Sequence, residues 1–389
     1  MASDTNAKAP GKILWLGGYS VLERPNLSFT STVDAYVTAE FKDASSSVVE
    51  LSAPQLNASL KGRLSKESGR IDAKAPEAML LMKTSAEVAL GYATGLGIKT
   101  SGFRLTTRSD SPFAYSSSSG KIVKSGLGSS AAVAVSTISA ILQAHGLDPE
   151  ENESLHKLAQ AAHSIATGKV GSGFDIAAST FGSIIYSRFS PEILGIFPAD
   201  WSPDQLVSLM KLKWDYKAER FGIPENLNLL FANFGESMIT RGAIGGVSKF
   251  KESDPEKYWE LIHAINYQNL RAIDGLRRMN AGEDDAMAEF RHSFDRGRIL
   301  TKLLGEFSSV GIEPNDCTRL IEESKMNGAF VAKLPGAGGK DAIAALSQGL
   351  GERDRLKKFW SGKKELNILD IRISGKGALE SPAKARDST

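Results

Sequence analysis

The sequence holds a single cysteine, Cys317, in 389 residues, so no intrachain disulfide can form. That suits a reducing compartment, and a cytoplasmic location is expected. Long apolar runs are missing too, which argues against a membrane-spanning helix. The opening MASDTNAKAPGK has no long apolar core behind a basic segment, and no secretory signal is expected. The five histidines make no HExxH spacing and there is no CxxC pair, so a zinc site is not expected. Neither charge is in surplus: 47 Lys and Arg face 45 Asp and Glu, a formal net charge of +2. A protein that works by neutralising nucleic-acid phosphates is far more basic. Neither nucleic acid nor a membrane is expected as a partner.

What is present is ordinary for a globular chain. Hydrophobic residues make up 41% and charged residues 24%, enough to bury a core without staples. The length exceeds one average domain and fits two lobes sharing a cleft. Strands are predicted at 12–16, at 102–107, and where Val33, Ala35, Val37, Ala39 and Phe41 alternate with polar residues. A polar stretch over 109–124, with four serines at 116–119, reads as a mobile surface loop. Helices are expected over 129–142 and from Ser154, where Leu155, Leu158, Ala162 and Ile165 share a face. Pro191, Pro198, Pro203 and Pro224 place a domain boundary in 190–225. The division taken is 1–205, 206–375 and a flexible tail over 376–389. The second part should hold strands at 227–231, 329–334 and 368–373, helices between 255 and 304, and a further helix from Asp341.

Three segments carry chemistry. In Lys124-Ser-Gly-Leu-Gly-Ser-Ser-Ala-Ala132, Gly126 and Gly128 allow a tight turn and keep side chains away from the amides. Ser129 and Ser130 are expected to cap the helix that follows. The free first-turn N–H groups and the helix dipole make a phosphate site, and a serine hydroxyl there can ligate magnesium. The sequence is not a Walker motif, because no GK[ST] follows the second glycine. An ordinary glycine turn with a serine cap is the competing reading. In Gly168-Lys-Val-Gly-Ser-Gly-Phe-Asp175, an acid follows three glycines. Asp175 either polarises an attacking hydroxyl, orients a lysine and magnesium around a transferring phosphate, or caps a helix starting at Ile176. Leu334-Pro-Gly-Ala-Gly-Gly-Lys-Asp-Ala342 offers a second set of backbone N–H groups, a weak signal alone.

With Ala9-Pro-Gly-Lys12 these segments fall in a known order. The chain resembles the GHMP kinase superfamily over residues 8–346, and within it the phosphomevalonate kinases most. That likeness rests on Ala9-Pro-Gly-Lys-Ile-Leu-Trp-Leu-Gly-Gly-Tyr-Ser-Val-Leu-Glu23, on Lys124 to Ala132, and on HSIATGKVGSGFD from His163 to Asp175. Looser matches are Ser109 to Tyr115 and Gly235-Glu-Ser-Met-Ile-Thr-Arg241. Two positions depart from the pattern: Lys340 stands where a glycine is common and Ile239 where a serine is frequent. The resemblance implies an α+β, two-lobed GHMP kinase fold. Its N-terminal lobe would be like ribosomal protein S5 domain 2, its C-terminal lobe ferredoxin-like, and the active site would lie between them. It also implies ATP and Mg2+ as cofactors, 5-phosphomevalonate as the acceptor, and a monomer or homodimer.

Carried onto this sequence, the resemblance makes Lys12 and Asp175 catalytic. It assigns Lys124, Gly126, Leu127, Gly128, Ser129, Ser130 and Ala131 to the nucleotide, with Ser130 on the metal. Gly18, Tyr19, Ser20, Lys169, Ser172, Gly173, Thr240, Arg241, Gly336, Ala337 and Gly338 fall to the substrate. An acceptor phosphate is already ionised near neutral pH, so joining two anions is the greater obstacle. Lys12 is then the leading neutraliser and Asp175 its holder; with an alcohol acceptor Asp175 would be the base. Lys121, Lys124, Lys169 and Arg241 are phosphate contacts or solvated surface. Tyr19 and Trp15 line the cleft or belong to the core, and His163 is read as a packing residue. A mevalonate kinase or another GHMP kinase is the alternative, and a catalytically silent nucleotide-binding relative the second.

Overall fold

The structure is a computed structural model that describes residues 2–44, 46–116, 122–195, 197–198, 200–234, 243–283 and 285–378. The first lobe is built on β1 (Thr5–Leu16), β2 (Leu27–Asp43), β3 (Val48–Ala53), β4 (Ala58–Leu64) and β5 (Ile71–Asp72). Helix α1 (Leu80–Gly95), β6 (Phe103–Ser109), a short hairpin of β7 (Ala114–Ser116) and β8 (Ile122–Lys124), and α2 (Ser129–Ala144) follow. Then come α3 (Ser154–Thr167), α4 (Phe174–Phe181), β9 (Ile184–Ser187), α5 (Glu192–Gly195), α6 (Pro203–Lys211) and β10 (Lys217–Arg220). The strands form one sheet in the order β10-β9-β2-β6-β3-β4-β5, with β1 pairing β2. Among the described residues, only the β3–β6 pair is parallel.

Alternation in β2 places Val33, Val37, Ala39 and Phe41 in the core, as a period of two requires. Helix α2 is buried on almost every side from Ala131 to Ala144. Its alanines let it lie close to β1, β2, α1 and α3, and a helix apolar all round belongs in a core. Its N-terminus emerges at the loop carrying Gly126 and Gly128.

The second lobe holds β11 (Asn228–Phe234), α7 (Ala243–Ser253), α8 (Pro255–Asn280), α9 (Ala286–Phe307) and α10 (Asn315–Met326). It ends with β12 (Val331–Lys333), β13 (Ala342–Ser347), α11 (Leu350–Ser361) and β14 (Leu366–Leu369), and its sheet runs β12-β13-β11-β14. Along β11, Leu230, Ala232 and Phe234 face Cys317, Ile321 and Trp360 of α10 and α11. Leu229 and Phe231 face the main core with Phe290 and Phe294 of α9. Cys317 is thus a packing residue, and burial pushes its thiol up to about 12.

Several expectations need correcting. The segment from Asp341 is β13, not a helix. Six consecutive buried residues, Ala342 to Ser347, form a strand paired on both sides by β11 and β12, and so short an apolar run carries no period to separate strand from helix. Both ends of the 109–124 stretch pair as the β7–β8 hairpin; its middle, 117–121, lies outside the described residues. The first sheet runs past residue 205 to β10, so we propose the lobe boundary between Arg220 and Asn228. Ahead of the expected tail, residues 372–375 return to the first lobe. Asp34 N–H donates to Arg372 O at 2.9 Å, Ser374 N–H to Thr32 O at 3.0 Å, and Ser183 N–H to Gly375 O at 3.0 Å. Among the described residues, no helix is long and apolar enough to cross a membrane.

Candidate active site

The phosphate-type loop forms because both of its glycines take positive φ, +74° at Gly126 and +79° at Gly128. Gly128, not a serine, is the N-cap of α2, and no side chain caps the helix. Ser129 and Ser130 stand inside the first turn, which corrects the expected serine cap. The first intrahelical bond is donated by Ala132 N–H to Gly128 O at 3.2 Å. Among the described residues, the N–H groups of Ser129, Ser130 and Ala131 meet no backbone acceptor. Three unsatisfied donors at the positive end of a buried helix are an anion site.

Lys12 lies across this loop. Its own N–H donates to Leu127 O at 2.9 Å, and its ammonium donates to Gly126 O at 3.2 Å. A Cβ on Gly128 would stand 2.7 Å from Lys12 Cε, so the lysine stem occupies the space a side chain would need. The ammonium is 5.7 Å from the ring centroid of Phe174, the first residue of α4. Lys12 is 7% exposed. Burial pushes its pKa below the ordinary lysine value, and the negative charge of Asp175 works against that. Among the described residues no direct ion pair joins Lys12 to Asp175, so the ammonium keeps donors for an anion.

Asp175 sits in the first turn of α4, whose N-cap is Gly173. It is therefore not the cap; its Oδ1 accepts from Ile176 N–H at 3.0 Å. Gly173 is fixed from α3: Gln160 Nε2 donates to Gly173 O at 2.9 Å and lies 3.0 Å from His156 Nε2. A Cβ on Gly173, whose φ is +81°, would sit 2.8 Å from both Gln160 and the Tyr186 hydroxyl. Ser179 Oγ donates to Pro10 O at 2.9 Å and ties α4 to β1. Lys12 and Asp175 are thus held by one rigid set of elements.

The Gly17–Ser20 turn and the Gly336–Gly338 turn meet between the lobes. Tyr19, in a left-handed conformation with φ 61°, donates its hydroxyl to Ala337 O at 2.7 Å. A Cβ on Gly18 would lie 3.5 Å from Gly336 O. Tyr19 packs in a cluster with Val247, Phe250, Tyr258 and Ile262, and Ser20 is fully buried against Asn269 Nδ2 at 3.1 Å. Both are anchored at the interface between the lobes, beside the cavity that Gly17, Gly18, Gly336 and Gly338 line. Trp15 is likewise core, its Nε1 donating to Ser31 Oγ at 2.8 Å. Gly338 is wedged against Ile312 O, where a Cβ would stand 2.2 Å away. Lys340 pairs with Asp316 of α10, so its charge is drawn away from the turn. Lys169 is exposed and Ser172 half-buried on the loop before α4. Lys124 lies on β8, and Thr240 and Arg241, with Ile239, lie outside the described residues.

Sequence reasoning missed Arg188, which follows β9. It is 8% exposed and donates to Leu22 O at 3.2 Å and to Val170 O at 3.0 Å. It joins the opening motif to the glycine loop that carries Asp175. No motif surrounds it, and only an arginine beside an apolar strand hinted at burial. Glu23 was also unassigned; its carboxylate accepts from the Tyr258 hydroxyl at 2.6 Å and from Lys251 at 2.5 Å, which binds it to the second lobe.

Comparison with known proteins places the chain in a family. Residues 81–183 match the GHMP kinases N terminal domain family. The phosphomevalonate kinase of Saccharolobus solfataricus is 30% identical over 96% of this chain and 98% of its own. A peroxisomal phosphomevalonate kinase of Arabidopsis thaliana is 28% identical over 93% of each. In fold, the chain superposes on Streptococcus pneumoniae phosphomevalonate kinase, solved with phosphomevalonate and AMPPNP, with a TM-score of 0.74. That match has 19% identity and covers 95% of this chain and 99% of the other. On sequence identity sustained over nearly the whole length, the chain belongs to the phosphomevalonate kinase family.

Proposed function

We propose that this chain transfers the γ-phosphoryl group of ATP to the phosphate of 5-phosphomevalonate, giving 5-diphosphomevalonate and ADP. One observation carries the reading: the uncapped N-terminus of α2, the Lys12 ammonium and the Asp175 carboxylate converge beside one loop. The three first-turn amides bind the nucleotide phosphates. Lys12 offsets the charge that accumulates when donor and acceptor phosphates approach. Burial lowers the pKa of that lysine, and the negative charge of Asp175 opposes the shift. No base is required, because the acceptor oxygen is already ionised near neutral pH.

The oxygen donors suit Mg2+. Ser130 lies in the first turn of α2, and neither it nor Ser129 is used as a cap. Among the described residues no group of three or more His, Cys, Asp or Glu could hold a metal. Ser130 would hold the ion together with nucleotide phosphate and water, the habit of Mg2+. When bound, the ion neutralises charge on the phosphates. Lys169, Ser172 and Gly173 stand on the loop beside Asp175 and are assigned to the acceptor, as are Thr240 and Arg241. The cytoplasmic location is proposed on the lone buried Cys317; a fluorescent fusion separates it from a peroxisomal one. Sedimentation distinguishes monomer from homodimer.

The direct test is coupled ADP release with 5-phosphomevalonate, mevalonate and galactose offered separately. The account expects turnover with 5-phosphomevalonate. Turnover with mevalonate alone moves the chain to a neighbouring kinase, and ATP binding without ADP from any acceptor makes it a silent relative.

A further inference from the structure

The second lobe holds a cluster of charges, with Arg298 and Glu313 buried and Lys333 half-buried, that the proposed reaction does not use. Lys333 ends β12, just before the turn that leads to Gly336. Its ammonium crosses to the first lobe and donates to Trp15 O at 2.9 Å. That carbonyl is available because the β1–β2 register slips between Leu14 and Leu16, and a bulge releases a residue from the ladder. Behind Lys333, Arg298 of α9 pairs with Glu313 and with Glu322 of α10, and the Thr318 hydroxyl donates to Glu313 at 2.9 Å. Lys302 lines the same cavity as Gly17, Gly18, Arg298 and Lys333.

We propose that Lys333 is a positioning residue for phosphoryl transfer: its ammonium holds the Gly336–Gly338 turn against the Gly17–Tyr19 turn and so sets the gap in which the two phosphates meet. The inference rests on the kinase reading above. Two ties bracket the glycine turn, Lys333 to Trp15 O on one side and Tyr19 to Ala337 O on the other. The second is neutral. The first is charge-assisted, hence stronger, and it can be switched by a proton.

The Lys333 pKa is lowered to about 8, chiefly by burial; Glu313 opposes that shift and Arg298 adds to it. The sign of the consequence follows. Between about pH 8 and the ordinary lysine value of 10.5, the folded chain has lost a proton that the unfolded chain still holds. Stability therefore rises with pH across that window, while the tie to Trp15 O loses its charge. From this group, activity and stability move in opposite directions.

The test uses full-length Lys333→Met and Lys333→Arg. With 5-phosphomevalonate at pH 7, the methionine variant should turn over at least about tenfold more slowly than the parent, and arginine should restore most of the rate. Turnover of the parent should fall from pH 7.5 to 9, and that fall should be absent in Lys333→Arg. The parent should gain melting temperature relative to Lys333→Met from pH 8 to 10, and amides over 16–19 should exchange hydrogen faster in Lys333→Met. Parental turnover in Lys333→Met together with unchanged exchange at 16–19 overturns the proposal. So does loss of protection spread across the whole second lobe, which would make Lys333 merely structural. If the parent itself releases no ADP with any acceptor, the kinase reading fails, and the exchange comparison still decides whether the tie exists.

Discussion

Lys12 shows how much one side chain does when the backbone around it is fixed. It fills the space beside Gly128, bonds the Gly126 carbonyl and senses the charge of Asp175. Replacing it with methionine keeps the stem and removes the charge. Lys12→Met should cut turnover at least about tenfold, or about 1.4 kcal/mol of barrier, in the ADP-release assay. Its melting temperature at pH 7 should match or exceed the parent's, because a buried ammonium is costly to desolvate. Asp175→Asn should slow turnover by a similar factor without unfolding, since its only described hydrogen bond is to the neighbouring Ile176 amide. At this scale the sequence was informative where a residue follows a glycine pattern, as Lys12, Gly128 and Asp175 do. It was silent on Arg188 and Lys333, whose roles come from carbonyls distant in the chain. For Tyr19 and Ser20 it named the turn but not the partners, Ala337 and Asn269, that anchor them across the lobe interface.

Among the elements, α2 and α4 are aimed by their first turns. A side chain on Gly128 must displace Lys12 and take up an unfavourable φ, whereas the Ser129 hydroxyl makes no cap. Gly128→Val should therefore weaken ATP binding far more than Ser129→Ala, measured by calorimetry; equal affinities would remove the loop from the account. Helix α3 positions α4 through His156, Gln160 and Gly173. Burial lowers the His156 pKa from 6.5 to about 3, so the folded chain keeps it neutral where the unfolded chain is protonated. Stability from this group is complete above pH 6.5 and is lost as pH falls toward 3. From pH 7.5 to 5 the loss is about 2 kcal/mol, and the urea-unfolding difference between parent and His156→Gln should show it. Long elements such as Ser129–Ala144 and Pro255–Asn280 could be read from the sequence, whereas α1, β3, β4 and α10 went unread. The 342–347 strand could not, since both its faces are covered by partners that lie far away in the chain.

For the whole molecule, the lobes are joined by more than the connection near residue 224. Glu23 reaches Tyr258 and Lys251, Tyr19 reaches Ala337, and the strap over 371–378 returns from β14 to β2, inside the first sheet. Three backbone hydrogen bonds hold that strap, and Ile371 and Ala378 are buried beneath it. At about 1 kcal/mol per bond, truncation after Asp370 should cost at least about 3 kcal/mol, seen as a lower midpoint in denaturant. The two-lobed plan followed from length and motif order; the returning strap did not. Proline spacing marks irregular backbone without saying which sheet the next strand joins.

The account stands or falls on where the triphosphate lies. A crystal structure of the chain with a non-hydrolysable ATP analogue should show phosphate oxygens within about 2.7–3.2 Å of the Ser129, Ser130 and Ala131 amides, with the Lys12 ammonium on the same phosphates. A triphosphate bound away from that turn, with Lys12 still closed on Gly126, would contradict it.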